Sequence, residues 1–123
     1  MKGLGLIALA AALVFVSTAS AQNVTGSLVG TVVDQSGAAV PDAMCTLVNR
    51  ATNVNLVATT ALDGRFNFPI VPPGTYTLNI RLEGMKGISM SDIAVSAQEV
   101  RSLGRITMEV GVVTETISVT AEA

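Results

Sequence analysis

After Ala21 the chain turns from continuous apolar sequence to short runs that alternate apolar and polar residues, broken by Gly, Pro, Asn and Asp. That pattern predicts β-strands with one face on a core and the other in water. Leu28, Gly30 and Val32 share a face of a first strand ending at Asp34, and Gln35-Ser36-Gly37 turns the chain after it. Ala43, Cys45 and Leu47 line one face of a second strand, with Met44, Thr46 and Val48 on the other. Asn49 to Asn55 reads as irregular and Leu56 to Thr60 as a short third strand. Asp63-Gly64 then has the chemistry of a tight hairpin turn. Arg65 to Phe68 is a fourth strand with Phe66 and Phe68 on one side, and Pro69, Pro72, Pro73 and Gly74 predict a corner after it. Thr75 to Leu82 is the clearest strand, with Tyr76, Leu78 and Ile80 facing one way and Thr77, Asn79 and Arg81 the other. Glu83-Gly84 breaks it, and one more strand is expected near Ile88 to Val95. Glu99 to Glu109 sets Val100, Ser102, Gly104, Ile106 and Met108 on one face, and a last β-prone segment runs from Val112 to Thr120. Only Ala94 to Val100 carries a trace of helical period, so the fold class is all-β.

The segment before this pattern reads as a secretory signal peptide, Met1 to Ala21. Lys2 is the only charge before Asp34, Leu4 to Val16 is an apolar run of thirteen residues, and Ala19-Ser20-Ala21 forms an A-x-A cleavage site. Cleavage there leaves Gln22 as the new N-terminus. A membrane span needs roughly 20 apolar residues, so a cleaved leader fits the run better than an anchor. The expectation is a protein exported to the periplasm, the outer membrane or beyond, with no membrane span after cleavage. No Cys follows the run to take a lipid.

What is left, Gln22 to Ala123, has six basic and nine acidic residues, a net charge of −3. Mild acidity argues against a nucleic-acid partner, which wants clustered Lys and Arg. Cys45 has no second cysteine to pair with inside the chain. It falls on a core-facing position, so a buried thiol is expected rather than an intermolecular bridge.

Catalytic and metal-binding chemistry is hard to assemble from these residues. The sequence has no His and no Trp. The commonest general base and metal ligand is therefore missing, and a single Cys cannot hold zinc. Asp34, Asp42 and Asp63 sit at turns, where Asp binds its own backbone, and no acidic loop has the spacing of a calcium site. Asn23-Val24-Thr25 matches a glycosylation sequon, a three-residue signal of low specificity. No enzyme activity, no cofactor and no metal is expected.

Two stretches together resemble the carboxypeptidase regulatory-like domain. In the first, Leu28 to Asn49 (LVGTVVDQSGAAVPDAMCTLVN), the residues Gly30, Val32, Asp34, Gly37, Pro41 and Ala43 stand at the family's positions. In the second, Thr59 to Ile80 (TTALDGRFNFPIVPPGTYTLNI), the matching residues are Asp63, Gly64, Phe66, Phe68, Pro72, Pro73, Gly74, Tyr76 and Leu78. The resemblance covers Ser27 to Glu109, after a short linker at residues 22–26. It implies a seven-stranded Greek-key β-sandwich of the prealbumin type, a scaffold that accompanies catalytic domains without being one. Each matched residue has a scaffold reason: Gly30 admits a neighbour, Gly64 and Gly74 permit positive φ, and the aromatic rings fill the space between sheets.

The tail, Val110 to Ala123, resembles the segment that follows this domain in Oar-like TonB-dependent outer-membrane receptors. Within it Glu115, Thr116, Ile117, Ser118, Val119, Thr120 and Ala121 look like a TonB box, an extended motif that adds a strand to a periplasmic energy-transducing protein. The same residues also suit a plain last or edge strand. The resemblance thus implies a non-catalytic exported interaction module, stand-alone or the N-terminal fragment of such a receptor, with a protein partner, a TonB-type periplasmic protein or a receptor barrel. A carbohydrate-binding accessory domain with a glycan ligand is the alternative, although Phe66, Phe68 and Tyr76 fall on core positions. An isopeptide-stabilised stalk module would need a lysine on an early strand, and Lys86 is the only one after Lys2.

Overall fold

The computed structural model describes residues 24–121. The leader, its cleavage-site residues Ala19, Ala21 and Gln22, and the last two residues lie outside them. Eight strands fill the described chain: β1 Gly26–Asp34, β2 Met44–Asn49, β3 Asn55–Thr59, β4 Arg65–Val71, β5 Gly74–Arg81, β6 Gly87–Val95, β7 Val100–Met108 and β8 Thr116–Thr120. They form two packed sheets, one ordered β4-β1-β7 and the other β3-β2-β5-β6-β8. The seven strands expected between residues 27 and 109 are present, and the tail contributes the eighth. Residues 94–100, which carry the trace of helical period, end β6, turn and begin β7.

The alternation read from the sequence decides which side chains meet between the sheets. Leu28, Val32, Phe66, Phe68, Ile106 and Met108 point inward from the three-stranded sheet. Cys45, Leu47, Tyr76, Leu78, Ile80, Ile88 and Ile93 answer from the five-stranded one. Burying a residue such as Leu78 stabilises the fold by about 2 kcal/mol. Gly30 and Phe66 lie opposite each other on β1 and β4. A Cβ on Gly30 would collide with the Phe66 ring, so the glycine is what lets that ring lie flat across its neighbour. Phe66 and Phe68 then meet edge to face, with centroids 6.0 Å apart. Cys45 is fully buried and unpaired, and burial pushes its thiol up to about 12.

Turn chemistry closes the ends of the sandwich. The Asp34 carboxylate accepts hydrogen bonds from the Ser36 hydroxyl at 2.6 Å, the Ser36 N–H at 2.9 Å and the Ala38 N–H at 3.0 Å. The Ser36 hydroxyl first, and then the Ala38 N–H, hold Asp34 below the usual carboxylate range. Thr60 turns inward just past β3, where its hydroxyl accepts from the Ala43 N–H at 2.9 Å and donates to the Val40 carbonyl at 2.7 Å. It is the one buried polar side chain among the described residues. The Tyr76 hydroxyl donates to the Pro72 carbonyl and so ties β5 to the proline corner.

Four local expectations need correction. Asp63-Gly64 is not a hairpin turn, because β3 and β4 belong to different sheets. Gly64 does have positive φ, but its carbonyl accepts from the Val32 N–H, which draws the chain across to β1. Gly74 opens β5 without positive φ; Gly37, Gly84 and Gly104 have it instead. Pro69 does not end β4, which runs on to Val71 through a bulge at Pro69-Ile70 opposite Ser27. An edge strand tolerates the missing N–H in this way. Finally, β7 does not keep one face. Its register against β1 shifts by a residue between Ser102 and Arg105, where Gly104 sits at φ +67°. Before the bulge Arg101 and Leu103 turn partly inward; after it Ile106 and Met108 do. Val100, on the expected core face, is therefore exposed.

Candidate functional site

The residues picked out in the tail become an edge strand. Residues Thr116 to Thr120 of β8 pair parallel with Gly87 to Ser91 of β6, in the register Thr116–Gly87, Ser118–Ser89 and Thr120–Ser91. Among the described residues β8 is the last strand of its sheet, and none of them pairs with its second backbone edge. Its β-branched residues favour extension. Ile117 is half-buried, while Thr116, Ser118, Val119 and Thr120 are exposed. Ile117, Val119 and Ala121 line a cleft, and Ala121 is fastened through its N–H to the Ser91 carbonyl at 2.8 Å.

The cleft has a volume of about 420 Å³. It exists because the five-stranded sheet overhangs the three-stranded one. Ile88 and Met90 of β6 form its floor, Ile117 and Val119 of β8 one wall, and Leu103 and Ile106 of β7 the other. Among the described residues, Arg105 is the only charged one lining it. The Gly104 bulge is what turns Leu103 toward this space, since an unbroken alternation would place Leu103 and Ile106 on opposite faces. Such a cleft is sized for a few apolar side chains.

Glu115 is placed by Lys86. The Lys86 ammonium lies 3.6 Å from both the Glu109 and the Glu115 carboxylates. The backbone does more: the Lys86 N–H donates to the Glu109 carbonyl, the Gly87 N–H to the Glu115 carbonyl and the Gly111 N–H to the Gly84 carbonyl. This doubled segment carries the chain from the end of β7 to the start of β8. Exposed ion pairs of this kind each contribute about 0–1 kcal/mol, so the backbone bonds carry most of the placement.

Leu103, Ile106, Met90, Lys86 and Arg105 escaped sequence reasoning as members of this site. Leu103 and Ile106 come from the other sheet, and only the positive φ of Gly104 brings Leu103 round. The glycine itself was the one available signal. Among the described residues no group of three or more His, Cys, Asp or Glu side chains could hold a metal ion. No described helix is long and apolar enough to cross a membrane.

Comparison with known proteins agrees with this architecture. Structures of similar fold include the Bacillus anthracis TIE protein, 19% identical at a TM-score of 0.57, covering 71% of this chain and 17% of that one. The 3-chlorocatechol 1,2-dioxygenase of Rhodococcus opacus 1CP is 17% identical at a TM-score of 0.55, covering 73% of this chain and 61% of that one. A proposed carbohydrate binding protein of Bacteroides uniformis is 16% identical at a TM-score of 0.50, covering 72% of this chain and 41% of that one. The chain spans less than two thirds of each of these structures, and at such identities they share its fold alone. No curated protein matches the sequence. The family model of the carboxypeptidase regulatory-like domain, a non-catalytic module, matches residues 27–109. With most of its length matched, and with the two-sheet sandwich in place, the chain belongs to the carboxypeptidase regulatory-like domain family.

Proposed function

We propose that this protein is an exported, non-catalytic interaction module that engages a protein partner by strand addition at β8. The observation that carries this reading is the position of Thr116–Thr120: a sheet edge with an unpaired backbone on one side and an apolar cleft under its inner face. A partner strand laid along β8 gains main-chain hydrogen bonds, while its inward side chains enter the cleft. The resemblance of Glu115–Ala121 to a TonB box makes a TonB-type periplasmic protein the partner of choice. The leader-like Met1–Ala21 supports delivery to that compartment.

Titration of the domain, residues 24–121, with the periplasmic domain of a TonB-type protein tests this. Amide signals of Thr116 to Thr120 should shift and gain exchange protection, and Ile117→Pro should abolish both. No binding at millimolar partner, or binding that survives Ile117→Pro, would refute it. A glycan ligand has weaker support. The proposed carbohydrate binding protein shares only the fold, and Phe66, Phe68 and Tyr76, the aromatic rings among the described residues, are buried and offer no stacking platform. A glycan array probed with the same domain is the direct check.

A further inference from the structure

The other open edge of the five-stranded sheet, β3, has features that a protected edge avoids. Asn55–Thr59 contains no charge, no proline and no bulge, and it pairs with β2 in unbroken register. The neutral stretch is longer than the strand: the twelve residues from Ala51 to Leu62 carry no charge. Natural sheets usually blunt such edges with Lys, Pro or a bulge to prevent pairing with another chain. Apolar side chains also gather there. Val57 is 63% exposed, the flanking Val54 and Leu62 are 57% and 89% exposed, and Met44 stands beside Thr59 on β2 with half its surface in water.

We propose that β3 pairs antiparallel with β3 of a second copy of this chain, about a twofold axis through Val57, to make one continuous ten-stranded sheet. In that register Asn55 faces Thr59, Leu56 faces Ala58 and Val57 faces itself. Leu56 and Ala58 are half-buried, whereas Asn55, Val57 and Thr59 are exposed. The pairing therefore sets core-side residues against core-side residues and outer against outer, as the period of two requires. Charge agrees with it. Arg50 precedes the neutral stretch and Asp63 follows it. Because no residue from Ala51 to Leu62 is charged, the pairing opposes no like charges. Two five-residue strands bury little area, so the dimer is a transient one that forms at high protein concentration. It uses the opposite edge from β8 and stands independently of the β8 reading.

Sedimentation of the domain from about 10 µM to about 1 mM, the range of weak interfaces, should show a monomer shifting to dimer. Val57→Lys and Val57→Glu each set like charges face to face at the twofold and should give monomers. Mixing the two in equal amounts should restore dimers, which also shows that both variants fold. Val119→Lys, on the β8 edge, should leave the dimer intact. A monomer at every concentration, a dimer unaffected by Val57→Lys, failure of the mixture to associate, or loss of the dimer in Val119→Lys would each overturn the proposal.

Discussion

The three-stranded and five-stranded sheets share one core but end very differently. The outer strands of the smaller sheet are both interrupted: β4 by Pro69 and its bulge, β7 by the Gly104 bulge with Arg101 and Arg105 around it. The larger sheet ends in β3 and β8, whose sequences NLVAT and TISVT are uncharged, unbroken and rich in β-branched residues. Bulges, prolines and charges at an edge all obstruct the approach of a further strand. Among the described residues, one sheet is thus finished at both sides, and the other is open at both. The lesson is that the proposed strand addition calls for no specialised binding loop, because half of the scaffold is left able to grow.

That contrast can be broken or sharpened by substitution. The largest effects are expected in the shared core. Phe66→Ala from the small sheet and Leu78→Ala from the large one should each lower stability by about 3 kcal/mol. In denaturant unfolding both should lose all structure in one transition; separate transitions would show that the sheets do not form one cooperative unit. Next comes the interruption in β7. Gly104→Val puts a branched residue at positive φ with open space around it, so backbone strain alone should destabilise the domain by about 1–2 kcal/mol. An unchanged melting temperature would mean that the bulge relaxes and that the edge is less rigidly closed than described. The smallest effect concerns Asp34, at the end of β1. Its lowered pKa means that its hydrogen bonds stabilise the fold above the usual carboxylate value of 3.8 and that this contribution is lost as pH falls through the lowered value. The stability difference between the native domain and Asp34→Asn should therefore begin to shrink near pH 4 and be lost only once the pH falls below that lowered value. A difference that persists in acid would assign the role of Asp34 to shape rather than charge.

Strand identity was legible wherever packing imposes a strict period of two. Leu28 with Val32, Cys45 with Leu47, and Tyr76 with Leu78 and Ile80 are all buried as the alternation requires. What the pattern concealed were places where one extra residue resets that period. The Gly104 bulge moves Leu103 into the cleft and leaves Val100 in water, and the Pro69 bulge extends β4 past a residue that normally stops a strand. Sheet membership was equally hidden at Asp63-Gly64. The same dipeptide serves a hairpin or a crossing between sheets, and the choice rests on the distant Val32 N–H. At the candidate site, Glu115–Ala121 could be marked in advance as extended and β-prone. Its parallel pairing with β6, its Lys86 fastening and its cleft depend on residues up to thirty positions away.

The parallel pairing of β1 with β7 has a consequence for timing. Ser27 meets Val100 and Asp34 meets Met108, so the middle strand of the smaller sheet lacks one neighbour until nearly the whole domain has been synthesised. Contacts that close such long loops make folding slow, in the millisecond-to-second range. A ribosome-bound chain therefore stays unfinished through most of its translation.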